Sequence, residues 1–161
     1  MLEIERKFLV TSDGYLAQAD RYEDMKQGFL SVDPERTVRV RISGGRGKIT
    51  VKGASSSDGT TRREWERDIS KEDAEGLLKM CLPGVISKRR YFVPVASFIF
   101  EVDVFAGDNQ GLVVAEVELE SAEQQFAKPE WLGEEVTGDA KYYNSQLSKK
   151  PYNQWLDTSF L

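Results

Sequence analysis

At 161 residues, 40% hydrophobic and 30% charged, the chain has the length and balance of a single domain, residues 1–161, with a sizeable core and no disorder signature. Its net charge of −5 speaks against nucleic-acid partners, which need a basic excess. No run approaches the roughly 18–20 apolar residues of a membrane span. Histidine is absent and Cys81 is the only cysteine, which excludes an internal disulfide, a nitrogen- and sulfur-ligated zinc site, and Ser-His-Asp or Cys-His catalysis. Any metal must therefore be held by oxygen, which points to Mg²⁺, Mn²⁺ or Ca²⁺. Cys81 reads as a buried small hydrophobe, and a lone thiol without a signal-peptide pattern fits a reducing cytoplasm.

The opening stretch, Met1 to Val10, alternates as a strand. Glu3, Glu5 and Lys7 share one face, and Leu2, Ile4, Phe8 and Val10 share the other. Thr11 to Arg21 reads as a polar connection, and Glu23 to Val32 as a strand ending at the turn signal Asp33-Pro34. Thr37 to Ile42 sets Val38, Val40 and Ile42 against Arg39 and Arg41, and Gly44-Gly45 turns the chain back into Lys48 to Lys52. The composition of Gly53 to Thr60 is that of a flexible loop. In Arg62 to Ile69, Trp65 and Ile69 oppose Arg62, Glu64 and Glu66. Ser70 caps a helix whose apolar stripe is Ala74, Leu77, Leu78 and Cys81, stopped by Pro83-Gly84. Val85 to Val93 carries Lys88 and Arg90 on one face. Ser97 to Phe105 sets Glu101 and Asp103 against an apolar face, and Leu112 to Glu120 does the same with Glu116 and Glu118. Ser121 with Gln124 is a capping-box signal for a short helix. Pro129 to Glu135 is irregular, and Thr137 caps a last helix from Gly138 to Leu147.

About eight short antiparallel strands with few helices predict a mainly β fold, an eight-stranded closed antiparallel barrel with peripheral helices. An outer-membrane barrel is rejected, because Arg6, Arg63, Arg67 and Arg89 would face lipid. Six strands carry a same-face pair of like charges, and a seventh carries Lys52. A solvated outer face would explain alternation alone. It does not explain charges sorted by strand, where ordinary surfaces intersperse them. Like charges about 4 Å apart cost about 4 kcal/mol at an effective dielectric of 20. Acids gathered in one lumen therefore require cations, and bases on the facing wall require an anion. Metal ions bridging the acids to a linear polyphosphate satisfy both.

The ordered set Glu3-x-Glu5-x-Lys7, Arg39-x-Arg41, Lys88-x-Arg90, Glu101-x-Asp103 and Glu116-x-Glu118 resembles the CYTH superfamily, the triphosphate tunnel metalloenzymes. E-I-E-R-K-F-L-V, Q-G-F-L, F-E-V-D-V-F, A-E-V-E-L and W-L-G-E-E-V-T look closest to the compact bacterial tripolyphosphatases, over Leu2 to about Asn144. The resemblance implies a barrel tunnel with a C-terminal plug helix, often in a homodimer. It implies that Lys7, Arg39, Arg41, Lys52, Lys88 and Arg90 cradle the triphosphate, with Lys141 offered by the plug. Glu3, Glu5, Asp103, Glu116 and Glu118 would hold one or two divalent ions, Mg²⁺ or Mn²⁺, with Glu64 and Glu66 beside them. Glu5, Glu116 or Asp103 would orient the attacking water, and a lysine, Lys7 or Lys52 among the candidates, would protonate the leaving phosphate. The implied activity is hydrolysis of a tripolyphosphate phosphoanhydride bond, with no nucleic acid or membrane partner. Thiamine triphosphatase, class IV adenylyl cyclase and a non-catalytic polyphosphate- or nucleotide-binding module are the alternatives.

Overall fold

The computed structural model describes residues 2–155. Strand β1 (Leu2–Val10) leads through a four-residue helix, α1 (Tyr15–Gln18), into β2 (Arg21–Asp33), β3 (Arg36–Ser43), β4 (Arg46–Lys52) and β5 (Thr61–Ile69). Helix α2 (Lys71–Leu78) then crosses to β6 (Ile86–Val95), β7 (Phe98–Phe105) and β8 (Val113–Glu118), followed by β9 (Leu132–Glu135) and α3 (Asn144–Leu147). Two-residue turns fix the first registers: Asp33 pairs with Arg36, and Ser43 with Arg46. Gly44, in the second turn, sits at φ +61°, where a Cβ would be strained.

Pairing is antiparallel throughout, in the order β5-β4-β3-β2-β6-β7-β8-β1. β1 closes the ring on β5 through Leu2↔Arg63, Glu3↔Arg62 and Ile4↔Thr61. The eight-stranded barrel expected from the sequence is therefore closed. β9 lies outside it, paired with the far half of β1 at Phe8↔Glu135 and Val10↔Leu132. That segment was expected to be irregular; it forms a strand because β5 has left this edge of β1, whose backbone groups need partners.

Alternation gives the wall two apolar layers. Outside, Phe8, Phe100, Val102, Ala115 and Val117 are buried beneath Trp131, Tyr15 and Phe126. The Phe100 and Trp131 rings meet edge-on at 5.6 Å, and Phe8 and Phe126 at 5.8 Å. Tyr15 is the reason the expected polar connection contains a helical turn. The Ser121 capping signal yields a turn instead of a helix: Gln124 Oε1 accepts from Glu120 N, and the chain then delivers Phe126 to the aromatic cluster. Helix α2 is capped as expected, with Ser70 Oγ accepting from Asp73 N at 3.0 Å. It packs so closely on the barrel that a Cβ at Gly47 would lie 2.6 Å from that of Ala74. Cys81, expected to be buried, is half-buried just beyond this helix. Among the described residues no helix is long and apolar enough to cross a membrane.

Inside, the barrel is divided. Phe29, Ile86, Phe105, Leu112 and Val114 form a second cluster with Tyr142 and Leu147 of the C-terminal segment. Ile86, Phe105 and Val114 share the inward parity of the charged pairs on their strands, so β6, β7 and β8 change from charged to apolar along their length. The plug that fills the apolar half is not one helix from Gly138 to Leu147. A 3₁₀ turn, Ala140–Tyr142, capped by Asp139, is separated from α3 by Tyr143 in an extended conformation. That break sends Tyr142 into the apolar floor and leaves Asn144 beside the charged half. Thr137 is not the cap; its Oγ1 accepts from Lys7 N at 2.9 Å.

Candidate active site

The charged half encloses a cavity of about 270 Å³. Eight basic and seven acidic side chains line it, so the lining is close to neutral and any selectivity must come from how the signs are arranged. Around the ring, β4, β3, β2 and β6 are consecutive and carry Lys52, Arg39, Arg41, Lys88 and Arg90, while β7, β8, β1 and β5 are consecutive and carry the acids. One arc is a basic wall and the other an acidic wall, with Lys7 and Arg62 as exceptions on the acidic arc.

Ion pairs concentrate at the two seams. Where β4 meets β5, Lys52 lies 3.4 Å from Glu64, and Arg39 on the next strand reaches Glu66 at 3.6 Å. Where β6 meets β7, Arg90 grips Asp103 with both Nε (2.8 Å) and Nη2 (3.0 Å), and Lys88 Nζ reaches the same carboxylate at 2.7 Å. Burial resists ionisation of Asp103, but Arg90 and then Lys88 outweigh it and hold its pKa at about 2. Both Asp103 oxygens are engaged by these two cations, and Asp103, expected among the metal ligands, stands behind the basic wall and not in the cavity lining.

The middles of the walls are not neutralised. Arg41 has no carboxylate within ion-pair distance among the described residues; its Nε donates to Gln27 Oε1 at 3.0 Å. The barrel encloses it while leaving it open to the cavity. Burial, then the charges of Arg39 and Arg90, pull its pKa down to about 9. Arg39 Nε is buried without any hydrogen-bond partner among the described residues, a costly state for a charged donor. Lys88 is lowered to about 7, by burial and by Arg90 and Arg41 against the pull of Asp103.

On the acidic wall the carboxyl groups are held in pairs. Glu5 and Glu116 share a hydrogen bond beside Lys7, whose Nζ is 3.5 Å from Glu116. Burial, Glu116 and Glu3 push Glu5 well above the carboxylate range. Burial also resists ionisation of Glu116, yet Lys7 and the Glu5 hydrogen bond hold it well below. Glu3 and Glu64 form a second pair beside Lys52, with Glu64 raised to about 7 by burial and by Glu3. Glu118 is exposed at the opening, and burial and the neighbouring acids raise it too. Among the described residues no three acids are already closed round an ion. The donor set is all carboxylate oxygen, the chemistry of Mg²⁺, Mn²⁺ or Ca²⁺, and its surplus negative charge is relieved here by retained protons.

Of the sequence candidates, Glu3, Glu5, Lys7, Arg39, Arg41, Lys52, Glu64, Lys88, Arg90, Glu116 and Glu118 all line this cavity. Lys141 does not. It is exposed, its Nζ over the rings of Trp155 (4.9 Å) and Tyr142 (5.2 Å), on a 3₁₀ turn that buries Tyr142 and leaves Lys141 outside. Sequence reasoning passed over Arg62 and Lys48, although each shares the parity of a pair already noticed. It had no signal for Gln27, Tyr143 or Asn144, which carry no charge.

The CYTH domain signature matches residues 1–151. The chain is 44% identical over 156 residues to an inorganic triphosphatase of Acetivibrio thermocellus, covering 95% of this chain and 97% of that protein. It is 37% identical over 154 residues to an inorganic triphosphatase of Nitrosomonas europaea, covering 92% and 97%. The crystal structure of the inorganic triphosphatase NE1496 superposes with a TM-score of 0.64 at 34% identity, covering 91% of this chain and 93% of that one. A charged barrel interior, walls of opposite sign and these relatives lead to one assignment: the chain belongs to the CYTH family.

Proposed function

We propose that this protein is a divalent-metal-dependent hydrolase that cleaves a phosphoanhydride bond of inorganic tripolyphosphate, acting as a single domain. The observation that carries the reading is the uncompensated centre of the basic wall: Arg41 without a counter-ion and Arg39 Nε without a partner, in a cavity faced by carboxyls that retain protons. A linear polyanion supplies the missing acceptors on one side. Relatives that are inorganic triphosphatases support tripolyphosphate as that polyanion.

Arg39, Arg41 and Arg90 bind and neutralise the phosphate chain, and Lys52 and Lys7 steady it at the two carboxyl pairs. Glu3, Glu5, Glu116 and Glu118 would hold one or two Mg²⁺ or Mn²⁺ ions, with Glu64 beside them. A bound ion would polarise phosphate oxygens and acidify the attacking water. Glu5 holds a proton in the metal-free site; with metal bound it would be ionised, and in that form it would accept the proton of that water as it adds to the terminal phosphorus. Lys88, with its pKa drawn down to about 7, returns a proton to the oxygen that departs with pyrophosphate. Asp103 keeps Lys88 and Arg90 in register.

Orthophosphate release from tripolyphosphate tests this directly. It is expected with Mg²⁺ or Mn²⁺, to cease on adding EDTA, and to return with excess metal. Tight tripolyphosphate binding with no phosphate release under any divalent metal would overturn the reading in favour of a binding module.

A further inference from the structure

Two neutral amides stand among the cations, and the reaction above gives them no part. Gln27, on β2 at the centre of the basic wall, is 0% exposed. Its Oε1 accepts from Arg41 Nε at 3.0 Å, and its Nε2 donates to Asn144 Oδ1 at 2.8 Å. The same Asn144 oxygen accepts from Lys88 Nζ at 3.1 Å. Amide orientation here is dictated by chemistry: guanidinium and ammonium groups only donate. Gln27 must therefore turn oxygen to Arg41 and nitrogen to Asn144, and Asn144 must turn oxygen to both Gln27 and Lys88.

One group is left over. Both lone pairs of Asn144 Oδ1 are spent on the wall, while no described residue accepts from its Nδ2. Asn144 nevertheless lines the cavity. Lys88, the cation that Asn144 touches, offers that N–H₂ group no acceptor, and an anion in the cavity provides one. A neutral donor also adds a contact without adding to the repulsion between these cations.

We propose that Asn144 is a substrate-binding residue, an uncharged donor from the plug to a phosphate oxygen, and that Gln27 is the positioning residue that fixes its orientation. The assignment rests on the tripolyphosphatase reading and extends it to the C-terminal segment. It makes α3 a working part of the site: the same segment that fills the apolar floor with Leu147 presents an amide to the substrate.

The test measures KM and kcat for tripolyphosphate, and tripolyphosphate binding by calorimetry, on the full chain with melting temperature as a control. Loss of a hydrogen bond to a charged group predicts that Asn144→Ala binds about ten- to a hundredfold more weakly, with the change in KM exceeding that in kcat. Asn144→Asp keeps an oxygen for Gln27 and Lys88 and turns the donor into an anionic acceptor, so it guards against an alanine variant that fails to fold; it is expected to weaken binding more than alanine does, since repulsion adds to the lost donor. Gln27→Glu keeps an acceptor for Arg41 but forces Asn144 to turn its nitrogen inward. Its effect on KM should be several-fold smaller in the Asn144→Ala background, where no amide is left to turn. Wild-type KM and binding in a folded Asn144→Ala or Asn144→Asp protein would overturn the binding role. Equal Gln27→Glu effects in both backgrounds would overturn the positioning role. A wild-type protein that neither binds nor hydrolyses tripolyphosphate would remove the underlying reading itself, an outcome distinct from active wild type with indifferent variants.

Discussion

The acidic wall holds two carboxyl pairs of one design at different depths. The deeper joins Glu5 on β1 to Glu116 on β8 beside Lys7, and the shallower joins Glu3 on β1 to Glu64 on β5 beside Lys52. The β1 member keeps the proton in the deep pair and gives it up in the shallow one. Proximity to the lysine decides which acid ionises: Lys7 is 3.5 Å from Glu116, and Lys52 is 2.8 Å from Glu3 but 3.4 Å from Glu64. Burial decides how hard the other holds its proton, well above the usual range for Glu5 and at about 7 for the half-buried Glu64. A strand that reads as one run of charge, Glu3-x-Glu5-x-Lys7, thus supplies an ionised acid, a protonated acid and a cation.

The largest expected effect breaks the deep pair at its proton-holding member. Glu5→Gln removes the group assigned to take the proton of the attacking water, and tripolyphosphate turnover should fall by about 10²–10⁴-fold. Without added metal the variant should nonetheless melt at a higher temperature than wild type at pH 8, because the amide imitates the protonated acid without its titration. Unimpaired turnover would refute the catalytic role, and a lowered melting temperature would refute the protonation assignment.

Changing the other member should have the opposite thermal sign. Glu116→Gln leaves Lys7 buried without its nearest counter-ion, and removing one partner of a buried pair costs about 3–5 kcal/mol. Urea unfolding of the two variants side by side sharpens the contrast. Matching midpoints would show that the proton is not partitioned as the geometry indicates.

How far this was legible in the sequence depends on how local the cause is. Inward parity follows from the period of a strand, so Glu3, Arg41, Lys88 and Glu116 were identified before any coordinates. The sorting of signs by strand was visible as well. A basic wall facing acids was expected from it; the ring order that makes each wall continuous was not, because it depends on β2 lying beside β6 and on β1 closing onto β5. Parity also cannot reveal where one face changes character along a strand: Phe105 follows Asp103 and Val114 precedes Glu116 on the same face, yet both belong to the plugged floor. Lys141 was expected in the site from the family resemblance alone; on a 3₁₀ turn ended by the extended Tyr143 it is exposed and lies outside the cavity lining. Gln27 and Asn144 matter through tertiary hydrogen bonds alone, which leave no charge pattern to read.

The shallow pair gives the smallest effect and the most direct reading of depth. The carboxyl of Glu64 has an ordinary value of 4.5 and is raised to about 7 in the folded chain, by burial first and then by the hydrogen bond and charge of Glu3. Below pH 4.5 it is protonated in both folded and unfolded states and contributes no pH dependence. Between 4.5 and about 7 the unfolded chain releases the proton while the folded one retains it, so stability falls as pH rises and levels off above that window. Glu64→Gln removes this slope and keeps a hydrogen-bond donor for Glu3. In EDTA its melting temperature should match wild type at pH 4 and exceed it at pH 8. For a partly exposed group, screened by solvent, the gain is under about 1 kcal/mol, or about 2–4 °C at this chain length. The corresponding gain for Glu5→Gln should be larger and persist to higher pH, because the deeper acid holds its proton harder. Equal gains with the same pH midpoint would mean that depth does not distinguish the two pairs and that the lysines alone set their protonation.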